Sequence, residues 1–417
     1  MTMTNFALLT TISFLVFLSG GLTGPISSLY LESLGAGYTA IGLIGTVAAV
    51  TAIASSYVWG RASDHLGRRK GILLFGLLTM AITNSLVAAV PSYGFIFPLR
   101  IFGGAALSAY ATSSLALMGD ELERHSSTRG MRMGIFRGLG SLAFGIMAFL
   151  SGSISDRFSL RAPFAMSAAF YFVAFFVALR IKEERTGRAA TEPRRGVLIA
   201  RLILTDARKV FLRGRRRVHP AVGAEKMNDS LPLAPLMVSA FLWSLVTGAV
   251  YAVWANYMVN ELSYTQTAMS RLWSLASTSE FPLMIFAGWL SDKIGRLRTL
   301  ILAFFAWTLV FAGYVLIPGM PWMVFIQLTR GLAYSAFTAA AMTYATEVRS
   351  RAKRGEVSGL YSASSGLGSI LGASMGGIQT QIAGFRAMIG TNAAIVFGGA
   401  IYLSGVVFRR LRRKQPI

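Results

Sequence analysis

The sequence predicts an all-α integral membrane fold with twelve transmembrane helices, arranged as two pseudo-symmetric six-helix bundles. Three observations support this prediction: the composition, the number of long apolar runs, and an internal repeat. Of the 417 residues, 54% are hydrophobic and only 14% are charged, whereas a soluble domain has about 45–50% apolar and about 25% charged residues. A soluble fold of this composition would have too little polar surface to hydrate.

Twelve apolar runs follow one another along the chain. Each is long enough to cross a hydrocarbon layer of ~30 Å as a helix, and a chain in lipid must satisfy its own backbone hydrogen bonds. The first run lacks a basic segment before it, so we interpret it as a span and not as a removable signal peptide. The runs lie at 5–30, 37–60, 71–90, 93–118, 133–155, 161–181, 234–258, 267–290, 299–317, 320–345, 356–382 and 385–408.

The lysines and arginines predict the orientation. With the N-terminus in the cytoplasm, 34 of the 40 lie in cytoplasmic segments and four at outer edges, which is a strong positive-inside bias. We therefore expect a plasma (inner) membrane protein with both termini cytoplasmic. The expected organisation is an N-terminal bundle at 1–181, a basic linker at 182–233, a C-terminal bundle at 234–408, and a basic tail at 409–417.

The net charge of +23 does not indicate a nucleic-acid partner, because the basic residues lie in short loops between apolar runs. The linker is either a flexible topogenic segment or an interfacial helix that contacts anionic lipids. The chain has no cysteine and three histidines, all in predicted loops, so we expect neither a metal site nor a cofactor. We expect a monomer.

The two halves of the chain repeat each other. Residues 60–69, GRASDHLGRR, match residues 288–297, GWLSDKIGRL, at an offset of 228. Pro91, Phe95 and Arg100 match Pro321, Phe325 and Arg330 at an offset of 230. Six is an even number of spans, so the halves share one orientation and are related by an axis along the membrane normal. A site at the interface of two such bundles can open to either side.

The stretch G-x-x-S-D-x-x-G-R-R after span two resembles the signature loop of the major facilitator superfamily, and it recurs after span eight, as it does there. The resemblance covers essentially the whole chain. It implies a transporter with a central cavity lined by spans one, four, seven and ten. We expect these loops to form a charge lock at the cytoplasmic mouth, the alternative being a purely topogenic role. The loop residues concerned are Gly60, Asp64, Gly67, Arg68, Arg69, Gly288, Asp292, Gly295 and Arg296.

Two further motifs bear on the subfamily. Arg100 and Gly104 resemble the R-x-x-x-G motif of span four in proton-coupled members, whereas Tyr334 takes the place of the glycine after Arg330. Span five has the glycines of the drug-antiporter motif without its proline.

Glu280 is the only acid well inside a predicted span. A charged group at mid-bilayer costs ~2.5–3.5 kcal/mol on insertion scales, so Glu280 should face the bundle interior or water. An acid in such a place is a candidate for proton coupling or substrate binding, the alternative being a structural acid paired with an arginine. Pro282 removes one helical hydrogen bond, and we expect a local break there.

The remaining site candidates are two arginines and a group in span seven. Arg100 and Arg330 could bind an anionic group or pair with Glu280, the alternative being that they snorkel to the outer surface. The residues of span seven could form an aromatic wall with a polar tip, suited to sugars or amphipathic organics, or could serve packing alone. They are Trp243, Tyr251, Trp254 and Asn256.

The function that the sequence favours is secondary active transport of a small organic solute by alternating access, coupled to protons. The alternatives are an uncoupled facilitator and a non-transporting membrane sensor of the same fold. The sequence contains no cluster of histidines and acids of the kind that an enzyme site needs. It also contains no G-x-x-x-x-G-K-[ST] stretch, so nothing in it predicts transport driven by ATP hydrolysis.

Overall fold

The computed structural model describes residues 4–66, 69–123, 129–182, 232–316, 319–347 and 354–414. Within these ranges the secondary structure is helical and contains no strand. Two bundles of six spans are formed, so the predicted fold class is confirmed. Residues 183–231, which make up nearly all of the predicted linker, lie outside the described ranges.

The first bundle contains spans one to six. Span one is divided into two helices, Asn5–Thr23 and Ser27–Ser33, because Gly24 and Pro25 interrupt it. Pro25 has no N–H to donate, and its ring disfavours helical continuation from the preceding turn. The other spans are the helices Tyr38–Leu66, Arg69–Ala89, Ile96–Glu123, Arg129–Arg157 and Ala162–Ala178.

The second bundle contains spans seven to twelve. Spans eleven and twelve form one helical stretch, Arg354–Lys414, which is broken at Gly384 by a φ of 82° that only glycine adopts readily. Span seven ends in a wide π-helical turn, Tyr257–Glu261. The other spans of this bundle are the helices Leu233–Asn256, Gln266–Ile294, Arg296–Leu316 and Met320–Glu347.

Eight of the described helices are apolar and long enough to cross a membrane by length and composition alone. Spans eight and ten, Gln266–Ile294 and Met320–Glu347, are not among these eight. They are the spans that contain Glu280 and Arg330. Their lower hydropathy is what a helix should show when one of its faces is turned to a polar cavity instead of lipid.

The two bundles meet along four pairs of spans: one with seven, two with seven, two with eleven, and five with eight. Glycines allow close approach at two of these contacts. A Cβ on Gly42 would collide with the carbonyl of Ala373, and one on Gly152 would collide with the carbonyl of Gln266. Small residues serve this purpose in membrane helix pairs generally, because van der Waals contact drives their association.

The two ends of this interface differ. We call them the Glu32 end, where span one finishes, and the Asp292 end, where span eight finishes. The hydrogen bonds that join the bundles, among the described residues, all lie in the half towards Glu32; examples are Thr46 to Ile370 and Ser274 to Gly145. The bundles are therefore fastened together at the Glu32 end.

Candidate functional site

A cavity of about 670 Å³ lies between the two bundles. This volume falls in the range of small-molecule sites, roughly 300–1,000 Å³. The first bundle contributes three uncharged residues, and the second bundle contributes the rest, including both charges. The lining residues are Phe17, Ser141, Phe144, Trp243, Ser244, Thr247, Gly248, Tyr251, Trp273, Ser277, Glu280, Trp307, Arg330, Tyr334, Ser365 and Ser369.

The helical repeat places these side chains in register. Span eight presents Trp273, Ser277 and Glu280 at spacings of four and three, which lie on one face of a helix. Span ten presents Arg330 and Tyr334 at a spacing of four. The cavity is thus formed by polar and aromatic stripes on the facing sides of several helices.

Glu280 reaches the cavity without a fixed partner. It is half-buried, and no salt bridge within 4.0 Å joins it to Arg330 or to any other cation in the described part of the chain. The two charges still interact across the cavity. A carboxyl group that is neither locked in an ion pair nor exposed to bulk water is able to bind a proton or a substrate cation.

Arg330 is held much more firmly. Its residue is only 7% exposed, and its guanidinium lies 4.9 Å from the ring centroids of both Tyr251 and Trp273. It also donates from Nη1 to Gln327 Oε1 at 3.2 Å. Two aromatic faces and one amide therefore compensate for removing this charge from water, as cation–π and hydrogen-bonding contacts do.

Aromatic rings form much of the cavity wall. Trp243 stacks on Phe337 with a centroid distance of 4.4 Å. The indole N–H groups of Trp243 and Trp307 are buried without a hydrogen-bond partner in the described structure. Unpaired buried donors are rare in native proteins, and both N–H groups have almost no accessible surface here, so a bound molecule would reach them only after the side chains move.

The helix of span eight runs unbroken through Pro282, so the expectation of a local break was wrong. A proline removes a single hydrogen bond, and neighbouring helices can compensate for it in a membrane protein. The carbonyl freed by Pro282 is that of Thr278; a separate bond joins the two helices nearby, where Ser335 of span ten donates to the carbonyl of Glu280 at 3.0 Å. Span ten therefore supports span eight at the turn that bears the carboxyl.

Three of the predicted site residues do not line the cavity. Arg100 donates to Ser27 Oγ at 2.6 Å, within the first bundle. Trp254 has no exposed surface and packs against Trp273 with a centroid distance of 5.4 Å. Asn256 lies at the bundle interface near the Glu32 end, where its Nδ2 donates to Glu32 Oε2 at 2.6 Å.

The second signature loop forms a charge cluster at the Asp292 end. Arg296 pairs with Asp292 at 2.5 Å and with Glu347 of span ten at 2.8 Å. Gly295, with a φ of 91°, supplies the tight turn between spans eight and nine. Gly288 lies inside the helix of span eight, and a Cβ there would meet no other atom.

In the first loop, Arg69 pairs with Asp120 of span four. The pair resembles that of Arg296 and Glu347, because each joins an arginine of a signature loop to an acid near the end of the fourth span of its bundle, although the repeat aligns Arg296 with Arg68. Gly60 lies inside a helix that continues to Leu66, and a Cβ on it would meet open space. The helix therefore continues beyond the apolar run that ends at residue 60. Gly67, Arg68 and the side chain of Asp64 lie outside the described residues.

The sequence reasoning missed Trp273, Trp307 and Tyr334 as cavity residues. A usable signal existed for Trp273, which precedes Glu280 by seven residues and therefore lies on the same helical face. No comparable signal existed for Trp307, because span nine carries no charged residue in its interior from which a face could be chosen.

A family model described as the MFS_1 like family matches residues 7–388. The chain belongs to the major facilitator superfamily. Among curated relatives, the maltose permease of Geobacillus stearothermophilus is 25% identical over 364 residues, which cover 85% of this chain and 82% of the permease. The multidrug resistance protein MdtG of Dickeya zeae is 27% identical over 411 residues, covering 94% of this chain and 91% of MdtG.

Solved structures share the fold. The nucleoside transporter NupG superposes with a TM-score of 0.77 at 16% identity, over 97% of this chain and 99% of NupG. The peptide transporter POT, solved in complex with sulfate, superposes with a TM-score of 0.76 at 15% identity, over 98% and 95% of the two chains. This major facilitator superfamily member is thus a multi-pass membrane protein and a secondary transporter.

Proposed function

We propose that this transporter moves a small organic solute by alternating access and couples the movement to protons through Glu280. The observation that carries the proposal is the position of Glu280: an acid without a salt bridge, in a cavity between two bundles, inside a membrane. Retaining an acid at this depth is costly, which favours a functional role. The relatives named above act on maltose or on multiple drugs by their names, and both kinds of solute are small organic molecules.

The two bundles, at 1–181 and 234–408, would move as separate bodies about the linker at 182–233. In the present conformation the Glu32 end is fastened. If the charge pattern sets the orientation as proposed, with both termini cytoplasmic, the transporter faces inward. The charge cluster of Arg296, Asp292 and Glu347 lies at the opposite end and would have to rearrange as that end closes.

The wall chemistry supports a solute that has both a ring or apolar body and acceptor atoms. The stacked rings around Trp243 fit the apolar part. The serine and threonine hydroxyls of the lining fit the acceptors. A substrate panel should therefore include disaccharides and amphipathic aromatic compounds.

The test uses the purified protein in proteoliposomes, with each compound assayed with and without an imposed pH gradient. We expect accumulation of at least one compound to depend on the gradient. Glu280→Gln should abolish gradient-driven accumulation yet retain exchange of labelled for unlabelled solute, because exchange needs no net proton movement. Glu261→Gln, an acid to amide change outside the cavity, is the matched control. Full gradient-driven uptake by Glu280→Gln would show that Glu280 does not carry the coupling, whereas uptake by the parent protein that never depends on the gradient would leave an uncoupled facilitator.

A further inference from the structure

At the Glu32 end, one carboxylate joins elements of both bundles. Glu32 lies in the short second helix of span one, just after the interruption at Gly24 and Pro25. Its Oε2 accepts from Asn256 Nδ2 at 2.6 Å. Its two oxygens accept from Asn260 Nδ2 at 2.8 and 2.9 Å. Both asparagines belong to span seven, so these bonds cross the interface.

A third donor comes from span two. Tyr38 donates its hydroxyl hydrogen to Glu32 Oε1 at 3.0 Å and accepts from Asn260 Nδ2 at 3.2 Å. No lysine or arginine forms a salt bridge with Glu32 in the portion of the chain that the structure describes. The carboxylate is therefore satisfied by neutral donors alone, which give charge-assisted hydrogen bonds without an ion pair.

The local backbone of span seven is shaped to deliver both amides to this carboxylate. The helix widens into a π-helical turn at Tyr257–Glu261, in which Leu262 N donates to Tyr257 O at 3.1 Å. The chain then leaves the helix through Ser263, the one described non-glycine residue with a positive φ, 58°. Wide turns and positive φ angles are energetically unfavourable and occur often at functional sites.

We infer that Glu32 is the latch residue of the gate at the Glu32 end, and that its bonds to Asn256 and Asn260 set how often the cavity opens to that side. Glu32 contacts neither the cavity nor a substrate, so it acts through the position of span seven. The inference rests on the proposed alternating access, because a gate at the Glu32 end is needed only if the cavity opens at both ends.

Other contacts also support the closed end. Spans two and eleven, and spans five and eight, meet mainly through close backbone packing at Gly42 and Gly152. Asp156 of span five adds an acceptor for Thr267 N at 2.9 Å, at the beginning of span eight. Among these contacts, only the Glu32 cluster joins spans one, two and seven at a single side chain.

The test exploits the absence of cysteine from the chain. Ser369, which lines the cavity, is replaced by cysteine as a reporter in every variant. A membrane-impermeant charged thiol reagent is applied from the side of the Glu32 end, and the labelling rate is measured. A separate Ser263→Cys protein, with its cysteine on the exposed surface of that end, identifies the sidedness of the vesicles.

Glu32→Gln replaces one acceptor oxygen with an NH2 group, which would face the NH2 groups of the two asparagines as a second donor. Asn260→Asp instead places a second carboxylate beside that of Glu32. Each variant should raise the labelling rate at least about tenfold, since one charge-assisted bond contributes roughly that factor to an equilibrium. The double variant Glu32→Gln with Asn260→Asp exchanges donor and acceptor, and should return the rate to within about threefold of the parent. A purely structural role for Glu32 would not produce this rescue.

Glu261→Gln is the control. Glu261 is an acid near the same end, but it pairs with Arg386 of the same bundle at 3.2 Å, so its rate should stay within about twofold of the parent. Equal rates for Glu32→Gln and Glu261→Gln, or a double variant as fast as the singles, would overturn the latch. The reagent applied from the Asp292 end should label every variant. If it labels none of them, the cavity is not accessible and the proposed function itself fails.

Discussion

Replacing Arg330 with lysine tests how the cavity holds its buried cation. Lysine keeps the positive charge but lacks the planar guanidinium that lies 4.9 Å from the rings of Tyr251 and Trp273. A cation–π contact contributes about 0.5–1 kcal/mol at exposed sites and about 2 kcal/mol when desolvated. Since Arg330 has two such contacts and is almost fully buried, we expect Arg330→Lys to lower the free energy of unfolding by about 1–3 kcal/mol.

The assay is equilibrium unfolding in mixed micelles titrated with a denaturing detergent, followed by tryptophan fluorescence. Arg271→Lys is the matched control, because Arg271 is exposed and lies over a single ring, Phe149, at 4.9 Å. It should lose no more than about 0.5–1 kcal/mol. Equal losses for the two variants would refute the argument that burial between two rings stabilises Arg330.

Three further predictions concern the ends and the wall of the cavity. Gly152→Ala inserts a methyl group against the carbonyl of Gln266, so spans five and eight should separate and outside labelling of a cavity cysteine should accelerate; an unchanged rate would contradict the close contact. Asp292→Asn removes one of the two carboxylates that bind Arg296, and should slow transport severalfold in proteoliposomes at an unchanged level of membrane insertion. Trp243→Leu removes the ring stacked on Phe337, and should raise KM for an aromatic substrate more than it lowers the maximal rate; an effect on the maximal rate alone would indicate packing only.

Much of the fold follows directly from the sequence, because the hydrocarbon layer imposes one helix per apolar run. The break between spans eleven and twelve, expected between residues 382 and 385, occurs at Gly384, where the residue type itself allows the turn. The break within span one was not expected, although Gly24 and Pro25 are visible in the sequence. The apolar run continues across these two residues, so hydropathy alone does not reveal that the helix is interrupted there.

The cavity was predictable only in part. Glu280 and Arg330 were identified because an ionisable residue in a span is costly wherever it points. Trp243 and Tyr251 were identified with Trp254, yet Trp254 faces the interior of its own bundle, and a spacing of three residues does not distinguish these two directions. Glu32 was overlooked since it lies at the end of a span, where an acid has no cost; its importance comes from Asn256 and Asn260, more than 220 positions away in the chain.

The central claim is that the two bundles open the Glu280 cavity alternately at its two ends. The most direct measurement is the pair of distance distributions between spin labels, taken by pulsed electron resonance in lipid. One label pair, at Ser56 and Leu360, spans the Asp292 end, and another, at Arg157 and Ser263, spans the Glu32 end; all four are exposed. With a transported substrate or a change of pH, we predict that one distance shortens as the other lengthens. Two distributions that stay fixed, or that shift in the same direction, would contradict the account.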